Sequence, residues 1–358
     1  MAKIAVVGCG AIGGLAGFYM ARAGEPVLFI DQNADHVHAI QERGISVNGV
    51  YGPMAIGPQP ACTPAEIAEP LEGLVFLACK SQATEVAMRG IASHLASDAC
   101  VVSLQNGMNE DTIADIVGRQ RTMGALPDYG GAYLEPGILE AVHEGTVYVG
   151  ELDGRLTPRV REAARLLGVG PNKCELLTDI VGRLWTKHVY NSQVVVTALV
   201  DGTVVQVLGN KNVQRLAGAL VGEAMEVSDA AGIRLHADQW FDPALYRPKT
   251  SQDTQKLLDA YDRLVDHLGG HQVADQSGGY KYVKKASGIH WDIVYRKRKS
   301  EAAYLTVVSI ADRYGVQVPL NARLIEIIGE VEDGKRALGW HNIDDLSTDA
   351  QRLETTLP

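Results

Sequence analysis

Strands alternating with helices in the first half, and helices alone in the second, point to an α/β domain followed by an all-helical C-terminal domain. Three observations carry this. Short apolar runs such as "KIAVVG", "PVLFID", "EGLVFLACK" and "ACVVSLQNG" are separated by segments of helical period. That alternation implies a mostly parallel sheet with helices on both faces. A glycine-rich turn joins the first run to the first helix, and from about residue 180 the apolar spacing is helical.

The elements follow in order. "KIAVVG" is a strand of β-branched residues, and "GAIGGLAGFYMARAG" is a small-residue helix ending at Gly24. "PVLFID" is a strand closed by Asp31, and "ADHVHAIQERG" is the next helix. A Gly/Pro-rich stretch follows. Then come "EGLVFLACK", the helix "ATEVAMRGIASHL", the strand "ACVVSLQNG" and the helix "DTIADIVG". The short strands and glycine turns of "GALPDYGGAYLEPGILEAVHEGTVYVGEL" read as an antiparallel extension. Later helices are "GRLWTKHVYNSQVVV", "NVQRLAGALVGEAMEVSDAAG", "DTQKLLDAYDRLVDHLGG", "SEAAYLTVVSIADRYG" and "PLNARLIEIIGEVEDGKRAL", the last with Pro319 suited to a first turn. The expected division is residues 1–178, 179–340 and a polar C-terminal tail, 341–358.

Composition narrows the function. The chain has 358 residues, 46% of them hydrophobic, enough for two domains. A net charge of −10 disfavours nucleic acid and acidic membrane as partners. Five scattered cysteines form no CxxC or metal-like cluster, and their odd number fits a reducing compartment. The first residues enter a strand at once, and no apolar run is long enough to cross a bilayer, so a cytoplasmic protein is expected.

"GCGAIG" sets Gly8, Gly10 and Gly13 in a G-x-G-x-x-G pattern between a strand and a helix. Gly8 permits the tight turn, Gly10 lets the backbone approach a pyrophosphate, and Gly13 lets helix and strand pack closely. With Cys9, Ala11 and Ile12 they put free N–H groups before phosphates. Asp31 ends the second strand, 23 residues beyond Gly8. This is the Rossmann-type dinucleotide-binding pattern. A carboxylate at Asp31 accepts ribose hydroxyls and repels a 2′-phosphate, and "QNADHVH" offers no arginine, so NAD is expected over NADP. Lys80 and Asn106 end later strands, where the rest of such a site belongs.

The fingerprint, "ACKSQATE", "SLQNGMNE", "RLWTKHVYNS", "RKRKSEAAYL" and "YGVQVPLNARL" together resemble the ketopantoate reductase family, in family order over nearly the whole chain. The resemblance implies reduction of a 2-oxoacid to a 2-hydroxyacid with a nicotinamide cofactor, and a homodimer. It places the catalytic lysine at Lys187 and a substrate-binding asparagine at Asn191. The acidic active-site residue falls at Glu301, and the strand-end lysine and asparagine at Lys80 and Asn106. Hydride delivery leaves negative charge on a carbonyl oxygen, and an ammonium there stabilises it and supplies a proton. Asn191, four residues on, shares the lysine's helix face. Alternatively, Lys187 snorkels from a packed helix to solvent. Asn106 orients nicotinamide or substrate, or only makes the Asn-Gly turn. Glu301 holds a substrate hydroxyl or Lys187, or only meets a helix dipole.

Departures from the family pattern concern the substrate. Val195 stands where a second asparagine is usual. In "KKASGIHWDIVYRKRKSE", Ser287 and Asp292 are kept, Lys285 falls near an asparagine position, Gly288 near a second serine, and one residue is added before Glu301. His290, Trp291 and Arg296 are unusual there. With Ser287 and Lys285 as substrate-binding candidates, the added positive groups predict a more anionic or differently shaped acid than ketopantoate; the alternative is a solvated surface segment. NAD preference also departs from a family that mostly uses NADP. Two other functions fit the residues less directly: a dehydrogenase of the same architecture acting on another alcohol or sugar acid, and a nucleotide-sensing protein without catalysis. No metal site is expected.

Overall fold

The computed structural model describes residues 4–238, 241–273 and 287–356. The chain divides into two compact units, Met1–Leu184 and Trp185–Pro358. The division falls inside a helix, a few residues beyond the expected boundary at 178/179.

The first unit is built on an eight-stranded sheet. Its strands are β1 (Ile4–Val7), β2 (Val27–Ile30), β5 (Ala61–Cys62), β6 (Leu74–Leu77), β7 (Cys100–Ser103), β8 (Thr122–Pro127), β11 (Val147–Glu151) and β12 (Cys174–Leu176). The order across the sheet is β12-β11-β8-β7-β6-β1-β2-β5. Strands β5 through β8 in that order run parallel; β11 is antiparallel to β8 and carries β12 parallel to itself. Strands β1, β6 and β7 are buried along their whole length. They read as continuous apolar runs because both faces of a parallel sheet are covered. The alternation shows in the packing. Ile4, Val6, Leu74, Phe76 and Val102 join one core with Leu15, Phe18 and Phe29. Ala5, Val7, Val75, Leu77 and Val101 join the other with Met88, Ile91 and Ile113. The helices that cover these faces are α1 (Ala11–Arg22), α2 (Ala34–Arg43), α3 (Thr84–Ile91), α4 (Glu110–Val117) and α5 (Pro158–Leu167).

The antiparallel extension differs from expectation. Only β11 and β12 extend the main sheet. Strands β9 (Gly130–Glu135) and β10 (Ile138–His143) form a hairpin in a second sheet with β3 (Ile45–Gly49) and β4 (Met54–Ile56), in the order β4-β3-β10-β9. Residues 45–56 read as a Gly/Pro-rich connection because each strand is short. Their pairing partner, β10, lies some 90 residues further along the chain.

The second unit is helical. The helix α6 (Ile180–Val195) leads into α7 (Val204–Leu208), α8 (Lys211–Ala230), α9 (Ser251–Val273), α10 (Gly288–His290), α11 (Pro319–Glu332) and α12 (His341–Thr356). Val213, Leu216, Ala217, Leu220, Val221 and Ala224 bury one face of α8 at helical spacing. The half-buried Glu223 accepts from Leu320 N (2.9 Å) and Asn321 N (2.7 Å), filling donors that the start of α11 leaves open. "SEAAYLTVVSIADRYG" is not one helix. It breaks into three 3₁₀ turns, Ala302–Leu305, Val307–Ser309 and Ala311–Tyr314. Residues 341–356 form α12 rather than a polar tail. Ile343 and Leu346 bury its inner side, and Asn342 Nδ2 donates to the Leu199 carbonyl at 3.0 Å. Two apolar residues three apart were too little to read as a helix from sequence.

Glu110, in the first turn of α4, is buried, and burial pushes its carboxyl up to about 7 against a partial opposing effect of hydrogen bonds. Between its ordinary value and about 7 the unfolded chain releases this proton while the folded chain keeps it. Stability should therefore fall as pH rises through that window, by roughly 1.4 kcal/mol per pH unit and on the order of 3 kcal/mol in all. Urea unfolding of Glu110→Gln from pH 4.5 to 8 should lose that slope and exceed wild type above pH 7. Parallel curves for the two proteins would contradict this.

Candidate functional site

The glycine turn has the geometry its three glycines were expected to need. Gly8 lies at φ +88°, and a Cβ there would stand 2.6 Å from Cys79 N. A Cβ on Gly13 would fall 2.2 Å from the Gly8 carbonyl oxygen and 2.7 Å from Ala78 Cβ. Gly10 has no atom within 4 Å of an added Cβ, so its outer side is open. The first helix starts at Ala11 with no side-chain cap and no acidic residue in its first turn. That leaves its N-terminal N–H groups suited to an anion.

Cys9 links this turn to the end of β2. Its N–H donates to Asp31 Oδ2 at 2.7 Å, while Asp31 Oδ1 accepts from Asn33 N at 2.9 Å. Each carboxylate oxygen has further lone pairs, so Asp31 stays able to accept ribose hydroxyls. The Cys9 carbonyl lies 2.8 Å from His36 Nε2. His36 Nδ1 accepts from Gly137 N at 3.0 Å, so the ring's N–H is on Nε2 and donates to Cys9. The Cys9 thiol is buried, and burial pushes it well above its ordinary value. It is an inert packing group rather than a nucleophile. His36 and Tyr133, whose rings meet edge to face, were not picked out from sequence. His36 looked like one more polar residue of an amphipathic helix. The residues of the glycine turn and Asp31 thus form one cradle that fits a dinucleotide.

Lys80 and Asn106, both half-buried, lie in the loops that follow the neighbouring strands β6 and β7. The Asn106 carbonyl accepts from Ser81 Oγ (2.6 Å) and Asn109 Nδ2 (2.7 Å), and Gly107 takes φ +85° directly after it.

The second unit answers why a core helix carries Lys187 and Asn191. Beyond Trp185, α6 is buried at every position except Lys187, Tyr190 and Val194. Those three recur at spacings of three and four, so they form one stripe. Lys187 stands on it, and the buried Asn191 lies one turn further along. On the inner side, burial pushes His188 down to about 4, outweighing the nearby Thr306 backbone, so its imidazole is neutral. Glu301 is buried and precedes the turn Ala302–Leu305. Ring contact between Trp185 and Tyr314 (5.5 Å), with the proximity of His188 to Thr306, packs the segment after Glu301 along α6.

The basic run is described from Ser287 onward. Ser287 Oγ accepts from His290 N at 3.3 Å, capping the short α10. The helix then widens into a π turn, Trp291–Tyr295, that buries Asp292. Arg296 Nη1 and Arg298 Nη2 both hold Asp292 Oδ1, at 2.9 and 2.8 Å. Lys299 pairs with Asp333 and lies 3.7 Å from Glu332. Arg296 and Arg298 thus share the one Asp292 carboxylate, and Lys299 has Asp333 as its partner. Lys285 lies outside the described residues. Among the described residues, no group of three or more His, Cys, Asp or Glu is arranged to hold a metal, and no helix is long and apolar enough to cross a membrane.

Comparison with known proteins places this geometry. Residues 4–154 match the family described as ketopantoate reductase PanE/ApbA, and residues 179–332 match its C-terminal region. The chain belongs to the ketopantoate reductase family. A 2-dehydropantoate 2-reductase of Pyrococcus horikoshii is 32% identical over 193 residues, 54% of this chain and 62% of that protein. One of Archaeoglobus fulgidus is 27% identical over 238 residues, 66% of this chain and 76% of that protein. The match thus spans less than two thirds of the Pyrococcus relative. Among solved structures, D-mandelate dehydrogenase with NADH and anilino(oxo)acetate superposes with a TM-score of 0.75 at 20% identity, covering 93% of this chain and 99% of that one. The 2-dehydropantoate 2-reductase of Geobacter metallireducens superposes at 0.73 and 24% identity, covering 91% and 99%. At such identities the likeness is one of fold: a Rossmann-type α/β domain and a C-terminal helical domain.

The glycines separate folding from binding. Gly13→Ala should cost about 1–3 kcal/mol of stability, since backbone oxygen blocks the new methyl. Gly10→Ala should unfold within about 0.5 kcal/mol of wild type yet bind NADH about tenfold more weakly, because its methyl enters the open side. Denaturant unfolding and fluorescence titration on both variants check this. Undiminished NADH binding by Gly10→Ala would remove the turn from the cofactor site.

Proposed function

We propose that the protein is an NAD(H)-dependent oxidoreductase that interconverts a 2-oxoacid and a 2-hydroxyacid by hydride transfer. The observation that carries this is Lys187 on the half-buried stripe of a helix otherwise buried beyond Trp185, in a chain whose glycine turn and Asp31 form a dinucleotide cradle. Membership of the ketopantoate reductase family supports the reaction class. A fold neighbour whose structure holds NADH and an oxoacid-like ligand supports both the cofactor and the substrate class.

The roles follow from residue chemistry. Gly10, Ala11, Ile12 and Gly13 face the pyrophosphate with the backbone N–H groups of the helix start, while Gly8 and Cys9, whose own N–H groups bond the Ile30 carbonyl and Asp31, shape the turn that carries it. Asp31 accepts the adenosine ribose hydroxyls and repels a 2′-phosphate, which favours NAD over NADP. Bound nicotinamide supplies or takes the hydride. Lys187 neutralises the charge that develops on the carbonyl oxygen and gives it a proton; in the other direction it takes the alcohol proton. His188 beside it stays neutral above about pH 4 and adds no competing positive charge. Asn191 and Glu301 hold the acid by hydrogen bonds, and Lys80 and Asn106 orient the reacting groups.

One assay series tests the chemistry and the cofactor together. Lys187→Ala should lower kcat by about 10²-fold or more with NADH affinity little changed. Asp31→Ser should narrow or reverse the preference for NADH over NADPH in kcat/KM. Near-wild-type turnover by a folded Lys187→Ala protein would sink the assignment of Lys187. Equal use of NADPH by wild type would sink that of Asp31.

The same reading includes a homodimer. Membership of the family and the apolar helical second half support it. Light scattering at micromolar concentration should give twice the chain mass, and a monomer throughout would refute it.

A further inference from the structure

The loops that carry Lys80 and Asn106 leave their strands at the same height. Leu77 pairs with Ser103 at the end of the β6–β7 ladder, and Lys80 and Asn106 each lie three residues beyond that pair. The backbone ladder stops there, with Leu104 N donating to Leu77 O at 2.8 Å. Past that point side chains replace it. Gln105 Nε2 donates to the Cys79 carbonyl (2.9 Å) and to Thr84 Oγ1 (2.8 Å). Thr84 Oγ1 reaches the Ser81 carbonyl (2.8 Å) and Asn109 Oδ1 (3.1 Å). Asn109 Nδ2 donates to the Asn106 carbonyl (2.7 Å) and to Ser81 Oγ (3.2 Å), and Ser81 Oγ donates to the same carbonyl (2.6 Å). Ser81, Thr84, Gln105 and Asn109 are all buried.

This network has a definite target. Asn109 stands at the N-cap of α4, where an asparagine usually caps its own helix, yet its side chain makes no cap bond. Its bonds run to the two loops instead. The carbonyls on either side of Lys80, those of Cys79 and Ser81, are both held, and so is the carbonyl of Asn106 itself. Burying four polar side chains is costly unless each finds partners, and a satisfied network fixes one geometry where an apolar filling would tolerate several.

The sheet order says which part of a ligand this fixes. From β7 the strands run β6, β1, β2. The glycine turn follows β1 and Asp31 follows β2, so Lys80 and Asn106 lie on the opposite side of the turn from Asp31. A dinucleotide lying across the strand ends with its adenosine ribose on Asp31 brings its nicotinamide half to β6 and β7. We infer that Asn109, through Ser81 and Thr84, is a positioning residue that holds Lys80 and Asn106 in register for the nicotinamide half of the cofactor and the reacting acid. This rests on the dinucleotide reading above.

The test compares Asn109→Asp, Thr84→Val and Thr84→Ser with wild type. Asn109→Asp keeps the shape and loses the donor to Asn106; Thr84→Val loses the hydroxyl that Thr84→Ser keeps. Each folded variant is measured for thermal melting, for affinity toward AMP and toward NADH, and for kcat and KM with a turned-over 2-oxoacid. Asn109→Asp and Thr84→Val should keep AMP affinity within about twofold. Their NADH affinity should be several-fold weaker and their kcat lower by about tenfold or more, the scale on which ångström misplacement acts. Thr84→Ser should be close to wild type. The inference is overturned if kcat and NADH affinity stay within about twofold in the two disruptive variants, or if AMP and NADH affinities fall together, which would mark a merely structural role. If Asn109→Asp fails to fold, Thr84→Val against Thr84→Ser decides. If wild type turns over no 2-oxoacid, the reaction assignment fails by itself, while the AMP-against-NADH comparison still decides the positioning role.

Discussion

The nucleotide half of the molecule depends on a close approach that admits no side chain. With a hydrogen at Gly13, α1 can start against the Gly8 carbonyl and Ala78. That contact sets the height of Cys9, whose N–H and carbonyl then meet Asp31 and His36. Through His36 the constraint reaches Gly137 in the β9–β10 turn, so the second sheet is tied to the same knot. A methyl at Gly13 would disturb every one of these bonds, although none involves Gly13 itself.

The helical half meets a different constraint. Most of α6 is core, and a lysine inside it would be costly unless its ammonium reached water or a partner. The half-buried stripe Lys187–Tyr190–Val194 lets one charged group sit on a buried scaffold. The burial that immobilises the helix also keeps His188 neutral. A rigid element that presents an ammonium is what proton transfer to a carbonyl oxygen requires. Asn191, one turn away, is held by the same packing.

What could be read in the sequence was whatever rests on local spacing. The glycine pattern, Asp31 at the end of the second strand, and Lys187 with Asn191 on one helix all follow from the chain within a few tens of residues. Pairings set by distant partners could not be read. Strand β3 pairs with β10 across the chain, and residues 302–314 turn instead of forming a helix against α6. The partners of the basic run could not be read either: a π turn brings Arg296 and Arg298 onto Asp292, and Lys299 meets Asp333, 34 residues further along the chain. Asn109 was not singled out, because an asparagine at a helix N-terminus most commonly caps its own helix. Its actual bonds run to loops 25 or more residues away as well as to its near neighbour Asn106.

The proposed reaction is one event: hydride passing between a nicotinamide and the C2 carbon of an acid. Label transfer observes it directly. The protein, incubated with NADH carrying deuterium at the transferred C4 position and with a series of 2-oxoacids, should yield a 2-hydroxyacid with one deuterium at C2, seen by mass spectrometry and NMR. Tight binding of the labelled NADH with no deuterium in any acid product would contradict an oxidoreductase acting on this substrate class.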